Sequence, residues 1–428
     1  MFIRRFDNPD QSSWEALTRR PVKQPVELES QVSNIMHEIN MNGDAALRRL
    51  TQQFDEVSLE NVRVSPEEID IAGSSVPENL KKAIDQAYQN IARFHQEQTL
   101  KTIPIETMPG VTCWRETRPI ESIGLYIPGG TAPLFSTVLM LGIPARIAGC
   151  HHLVLCTPPR KDGSIAPEIL YAAQLCEIQQ VFRVGGAQAI AAMTFGTQSI
   201  PKVQKIFGPG NQYVTEAKVQ SQKFGISIDM PAGPSEVLVI ADDTANPAFA
   251  AADMLSQAEH GIDSQVVLLS DSKRIIDHTL EELQVQLRTL PRGDIARKAL
   301  EKSLVVSFDS IDRCIQFSNV YAPEHLILSV DRPRPLINQV ISAGSVFLGH
   351  FSPEAVGDYA SGTNHTLPTN GWARSYSGVS VDSFVKKITF QEISREGLKN
   401  IGGIVESMAM AESLIAHKRA VSIRLASD

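Results

Sequence analysis

At 428 residues, with 43% hydrophobic and 21% charged side chains, the chain has the composition of a soluble globular protein with room for about two to four folding units. A net charge of −8 and a pI near 5.7 argue against a nucleic-acid partner, because proteins that bind nucleic acid are basic. Cysteines 113, 150, 156, 176 and 314 form no CxxC pair and no even framework, and the amino terminus has no apolar h-region; free thiols and no secretory signal imply the cytoplasm.

From about residue 25 to 96 the pattern is helical, in three stretches with polar breaks. Residues 122–145 then run without a charge, long enough to span a bilayer, but Pro128, Gly129, Gly130, Pro133 and Pro144 interrupt them. The reading is a strand over 122–127, a turn over 128–132 and a buried helix from about Leu134, so no membrane segment is expected. Further β-rich runs follow at 153–156, 181–184 and 205–207, separated by helical stretches near 134–148, 166–175, 187–195 and 211–221. Strand–helix alternation of this kind predicts a parallel sheet covered by helices. Strand runs at 236–241, 265–270 and 304–307 predict a second such unit, and the chain reads as helical again from about Ser383 to Ala416. The predicted fold class is α/β, two Rossmann-like parallel-sheet units in tandem with small N- and C-terminal helical segments.

No GxGxxG follows a strand. Three weaker turns do: Gly129-Gly130, Gly185-Gly186-Ala187-Gln188 and Gly208-Pro209-Gly210-Asn211. Each follows a short apolar strand and precedes a helix, where backbone approaches phosphate and the helix N-terminus favours negative charge. Three such turns in one unit imply a ligand crevice.

Three segments carry chemistry. The helix-forming run PAFAAADML from Pro247 ends before Gly261, which places Gln257 and His260 in the last turn on one face, close enough to reach one metal ion; a Gln and a His on a solvated helix end is the plainer alternative. Glu324 and His325 stand between Pro323 and an apolar run, and point in different directions on a strand or a buried helix turn. That suits a carboxylate and an imidazole handling protons on one substrate, with a helix N-terminus at Ala322 and Pro323 as the structural alternative. Residues 357–369 are small, polar and punctuated by glycine and proline, a loop that carries Asp358 and His365.

Together with the strings GLYIPGG (124–130), VGGAQAIA (184–191), KIFGPGN (205–211), IDMPAGPSE (228–236), SAGSVFLG (342–349) and ESLIAHK (412–418), these segments resemble the histidinol dehydrogenase family over nearly the whole chain. The resemblance implies a zinc- and NAD-dependent oxidation of L-histidinol to L-histidine through bound histidinal with two NAD⁺, the last step of histidine biosynthesis. Its implied roles fall on Gln257, His260, Asp358 and His417 as ligands of one zinc per subunit, and on Glu324 and His325 as water-activating residue and general base. Tyr126, Gln188 and Asn211 correspond to NAD contacts. Ser235, His365 and Glu412 correspond to substrate contacts, alongside Gln257, His260, His325, Asp358 and His417. The implied division is an N-terminal segment (1–24), a substrate and zinc domain (25–125 with 236–380), an NAD-binding domain (126–235) and a C-terminal segment (381–428). The family is a homodimer that exchanges the C-terminal segment, so Glu412 and His417 are expected from the partner. Two other readings stay open on the residues alone. A zinc hydrolase needs no nucleotide crevice, and a non-catalytic NAD-binding protein has no use for Glu324 and His325 beside a metal.

Overall fold

Short strands that are buried on both faces organise the chain. The computed structural model describes residues 3–20, 26–99, 101–129, 133–231 and 233–427. The larger sheet runs β1 (Arg4–Asp7), β11 (Leu304–Ser307), β10 (Gln265–Ser270), β9 (Glu236–Ala241), β12 (His325–Ser329), β13 (Ser345–Leu348), all parallel. Every residue of β9, β10, β11 and β12 is buried, and alternate side chains serve opposite layers. Val237, Val239, Val266, Leu268 and Val305 pack with the helices Pro247–Ala258, Lys273–Leu287 and Gly293–Glu301. Leu238, Ile240, Val267, Leu269 and Val306 pack with Trp14 and the helix Ile311–Tyr321.

The second sheet runs β6 (Gln180–Arg183), β5 (His152–Thr157), β4 (Ser122–Tyr126), β7 (Lys205–Phe207), β8 (Ser227–Ile228), again all parallel. Its first strand in sequence lies in the middle, so the strand order reverses between β4 and β7 and opens a crevice at their carboxyl ends. The two tandem α/β units expected from the strand–helix alternation are therefore present, with the helices Phe135–Ile147, Pro167–Leu175, Gly186–Phe195 and Gln212–Ser221 close to where the pattern placed them. The uncharged stretch is a strand followed by a helix, and among the described residues no helix is long and apolar enough to cross a membrane. Part of the turn expected at 128–132, residues 130–132, lies outside the described residues.

Three features depart from the sequence reading. The expected division joined 25–125 to the zinc-site unit, but the helices Val26–Phe54, Pro66–Ser75 and Glu78–Gln96 pack on the second sheet. Their apolar residues Val32, Met36, Leu47, Ile69, Ile84 and Ile91 fill its two layers. The expected N-terminal segment, by contrast, contributes β1 and the buried Trp14 to the first sheet. Finally, the stretch after Ser383 is not helical throughout. β14 (Val385–Ile393) pairs antiparallel with β3 (Val111–Pro119), which also takes β2 (Ile105–Met108). Phe390 of β14 stacks on Trp114 of β3 with ring centroids 5.6 Å apart, a cross-strand pair that rewards this register. The helix Arg395–Ala411 follows and rests on this small sheet, and the helix Ile415–Leu425 packs against it in turn.

Candidate active site

The first sheet gathers polar side chains at the amino ends of its central strands. The helix Ile311–Tyr321 stops because Ala322 adopts a left-handed conformation (φ 53°), donating its N–H to the Ser318 carbonyl at 2.7 Å. Pro323 follows and β12 begins at His325, so Ala322 and Pro323 mark a helix C-terminus and not the N-terminus weighed above. His325 lies between Val237 of β9 and Ser345 of β13, which holds its ring in the sheet edge, almost fully buried.

Three carboxylates converge on that ring. Glu324 Oε2 is 3.6 Å from Nδ1, while Asp358 Oδ1 and Glu354 Oε1 lie 3.4 and 4.0 Å from Nε2. Burial alone would lower the His325 pKa, but the negative charge of Glu324, the close contact with the Asp358 carboxylate and the charge of Glu354 outweigh it and push it up to about 10. Burial raises Glu324 to about 8 and raises Glu354 too, whereas the Asp358 carboxyl falls below its ordinary value because the close contact with the His325 ring and its charge overcome burial.

Gln257 is fully buried in the last turn of its helix, as the spacing predicted, but the helix ends at Ala258 and His260 lies just beyond it. The Gln257 amide nitrogen donates to Glu354 Oε1, which leaves Oε1 of Gln257 buried with no partner. Glu354 is thereby fixed from two sides, since Ser256 Oγ donates to its Oε2 at 2.8 Å. Sequence reading missed Glu354 and treated Asp358 as a loop residue. Both stand on one short helix, Glu354–Tyr359, one turn apart, and Ser352-Pro353-Glu354 is a helix-start signal that the glycine-rich surroundings obscured. A Cβ on Gly357 would come within 2.6 Å of the Phe347 ring, so glycine is what lets this helix press against β13.

His260 and Ser235 face each other (Nδ1 to Oγ, 3.4 Å), and burial lowers the His260 pKa. His365 lies 2.8 Å from the Asp358 carbonyl through Nδ1 and 3.1 Å from Thr137 Oγ1 through Nε2, tying the site to the second sheet's helix Phe135–Ile147. Behind Glu324 and His325, Arg20 makes a bidentate ion pair with Glu236, both contacts at 2.8 Å and both side chains buried. Arg20 also donates to the Tyr321 carbonyl at 2.7 Å and lies over the Tyr321 ring at 3.6 Å. Glu236 in turn donates its backbone N–H to Glu324 Oε2 at 2.8 Å. This chain of contacts holds the 321–325 turn.

One convergence was not expected. Among the described residues, the group of three metal-capable side chains with ligand atoms within 4.8 Å of one another is His325, Glu354 and Asp358. It shares only Asp358 with the ligand set that the family resemblance implies. Glu412 and His417 are exposed on the C-terminal helix pair, away from the cluster.

The crevice of the second sheet holds a cavity of about 960 Å³ lined by Tyr126 at the end of β4 and by Gly129, Gly186, Gln188 and Asn211 from the glycine turns singled out in the sequence. The Tyr126 hydroxyl accepts the Gly186 N–H at 3.1 Å, and burial pushes its pKa up to about 12. Asn211 caps its helix through Oδ1, and the Gln188 side chain is buried with its amide nitrogen unpartnered. Gly208 has φ +126°, and a Cβ there would fall 2.0 Å from the Tyr126 carbonyl oxygen, so the turn admits only glycine.

A family model described as histidinol dehydrogenase matches residues 18–425. The chain is 53% identical over 417 residues to the histidinol dehydrogenase of Bacteroides thetaiotaomicron, covering 97% of each. It is 54% identical over 414 residues to that of Photobacterium profundum, covering 96% of this chain and 93% of the relative. The crystal structure of histidinol dehydrogenase from Elizabethkingia anophelis superposes with a TM-score of 0.97 at 56% identity, covering 99% of this chain and 98% of that one.

The charge cluster sets a pH dependence. His325 is raised from 6.5 to about 10 and Glu324 from 4.5 to about 8, so the folded chain retains protons that the unfolded chain has lost. Glu354 has the same sign, and Asp358 titrates below this range. Stability is then fully present below the unfolded values and falls as pH rises, through Glu324 between 4.5 and about 8 and through His325 between 6.5 and about 10. Lowered histidines such as His260 and His365 oppose this trend only up to about pH 6.5, so thermal midpoints of chelator-stripped protein at constant ionic strength should fall between about pH 7 and 10, and His325→Asn should flatten that fall. A wild-type midpoint that is level or rises with pH, or a variant with the same slope, would contradict this charge assignment.

Proposed function

The chain belongs to the histidinol dehydrogenase family, an NAD-dependent oxidoreductase of histidine biosynthesis, and from that premise we propose that it oxidises L-histidinol to L-histidine in two steps at the Glu324–His325 cluster. Bound L-histidinal is the intermediate and two NAD⁺ take up the four electrons. The observation that carries this reading is one buried imidazole, His325, set among carboxylates, with Asp358 3.4 Å from an Nε2 that makes no hydrogen bond and the neighbouring Gln257 Oε1 likewise without one.

The donors present fit zinc. An amide oxygen without a partner, a carboxylate held ionised and an imidazole in the same cleft are nitrogen and oxygen ligands of the kind zinc takes. Gln257, His260 and Asp358 would hold the ion, one per subunit, and His417 of a second copy would complete the set. When bound, zinc supplies a template that orients the amino alcohol. In the first step His325 takes the hydroxyl proton while the carbinol carbon passes a hydride to the nicotinamide, giving the aldehyde. In the second, Glu324 takes a proton from the water that adds to the aldehyde carbon. His325 then takes a hydroxyl proton of the resulting hydrate as a second hydride leaves, giving the carboxylate. Ser235, His365 and Glu412 contact substrate, and the dinucleotide lies in the second-sheet cavity against Tyr126, Gln188 and Asn211. Free thiols, four of the five buried, favour a cytoplasmic setting.

Because only water addition uses the Glu324 carboxylate, Glu324→Gln should slow the four-electron conversion of histidinol more than the oxidation of supplied, already hydrated histidinal. His325→Asn should slow both by about 10²–10⁴-fold. Stopped-flow NADH formation on the two substrates separates the roles, and equal losses for both variants on both substrates would contradict them.

The exposed apolar side chains Ile404, Met408, Leu414 and Ile423 of the C-terminal helix pair favour a homodimer in which Glu412 and His417 enter the partner's site. Refolding a mixture of His260→Asn and His417→Asn chains, each inactive alone, should restore up to about a quarter of wild-type activity. Each heterodimer then has one site with both lesions and one intact. If all ligands came from one chain, the mixture would stay inactive.

A further inference from the structure

The nucleotide cavity contains a carboxylate that no step above uses. Asp55 follows the helix Val26–Phe54, donating its N–H to the Thr51 carbonyl at 2.9 Å, and the next residue, Glu56, turns the chain with φ 60°. The carboxylate lines the cavity, and its Oδ2 is buried with no hydrogen-bond partner. Two other buried atoms on the cavity wall lack partners as well, Gln188 Nε2 and Thr157 Oγ1, and both of those side chains are almost fully enclosed. Buried polar atoms are rarely left unpaired, so a wall with three of them is built for a polar ligand. Burial also raises the Asp55 pKa to about 6, against the nearby positive charge of Lys161, which opposes the rise.

Their position in the sheet says which part of the ligand they meet. Thr157 ends β5, the strand beside β4 on the side away from the β4–β7 reversal, whereas Asn211 stands across that reversal. In sheets of this order the adenosine ribose lies at the end of the second strand, where an acidic residue receives its hydroxyls. Here the chain after β5 reads Pro158-Pro159-Arg160-Lys161-Asp162, and that acid is turned onto Ser164 and is not part of the cavity wall. We propose that Asp55, reaching the cavity from the N-terminal helix, supplies that acid: its carboxylate and the Thr157 hydroxyl bind the adenosine ribose diol and make the site reject a 2′-phosphate. Each of the three cations on the same wall already has an acidic neighbour, Arg49 with Glu38, Lys161 with Glu56 and Arg160 3.7 Å from Glu168.

The inference rests on the dinucleotide occupying this cavity, and the experiment separates the two claims. NADH and NADPH are titrated by fluorescence into the zinc-loaded enzyme without histidinol, for wild type, Asp55→Asn, Asp55→Ala, Thr157→Val and Gln188→Ala, with thermal melts to confirm folding. Wild type should prefer NADH. Both Asp55 variants should bind NADH about tenfold or more weakly and NADPH no worse, as expected for lost hydrogen bonds to a charged acceptor. Thr157→Val should shift the ratio the same way by less. Unchanged NADH binding, or equal losses for the two nucleotides, would overturn the assignment. If Gln188→Ala also leaves NADH binding intact, the cavity itself is misassigned. Should Asp55→Ala fail to fold, the near-isosteric Asp55→Asn and Thr157→Val decide the outcome.

Discussion

The site is organised by an electrostatic constraint: three carboxylates are buried around one imidazole. Like charges this close in a weakly polarisable interior cannot all ionise without a counter-charge. The protein alone meets the demand by protonating His325 against Asp358 and holding protons on its acidic neighbours. A bound cation would take over part of that work, repelling the imidazolium proton and leaving His325 neutral, the form a general base requires. The polar atoms left without partners in the cluster, His325 Nε2 and Gln257 Oε1, therefore lie where the charge balance is least complete.

Holding such a cluster requires rigid surroundings. The Arg20–Glu236 pair is deeply buried, and losing either member would strand a charge at a cost of about 3–5 kcal/mol. Its value here is geometric, because Arg20 grips the Tyr321 carbonyl while the Glu236 backbone grips the Glu324 carboxylate. Glu354 has the matching role on the other side, holding the Gln257 amide nitrogen, which also lies 3.3 Å from His325 Nδ1. The two sheets present opposite ends to their ligands, amino ends around His325 and carboxyl ends around Tyr126. His365, between Asp358 and Thr137, joins the two regions.

The legible parts of the sequence were those where burial writes a pattern. β4, β5, β7, β9 and β10 are apolar runs bounded by glycine, proline or polar breaks, and they appear within a residue or so of expectation. β14 was hidden because Lys386, Lys387 and Glu392 are tolerable on a small exposed sheet and mask its alternation. β1 reads as a charged tail, and only its parallel pairing with β11 makes it a strand. Glu324, His325, Gln257 and Asp358 were found because their neighbours are chemically unusual. Glu354, Arg20 and Asp55 were not, since the first two gain their meaning from contacts 97 and 216 residues away in sequence and Asp55 from a cavity wall. The grouping of the N-terminal helices failed for the same reason: an amphipathic helix records that it has a buried face, not which sheet it covers.

The central claim is that this acidic pocket is built for a zinc ion held by Gln257, His260, Asp358 and His417 of a second copy. X-ray absorption at the zinc edge of the loaded dimer tests it without relying on turnover. The expected spectrum has only nitrogen and oxygen donors at about 2.0–2.2 Å, with scattering from two imidazole rings that drops to one in His417→Asn and in His260→Asn. A sulfur shell, or an imidazole count unchanged in both variants, would contradict it.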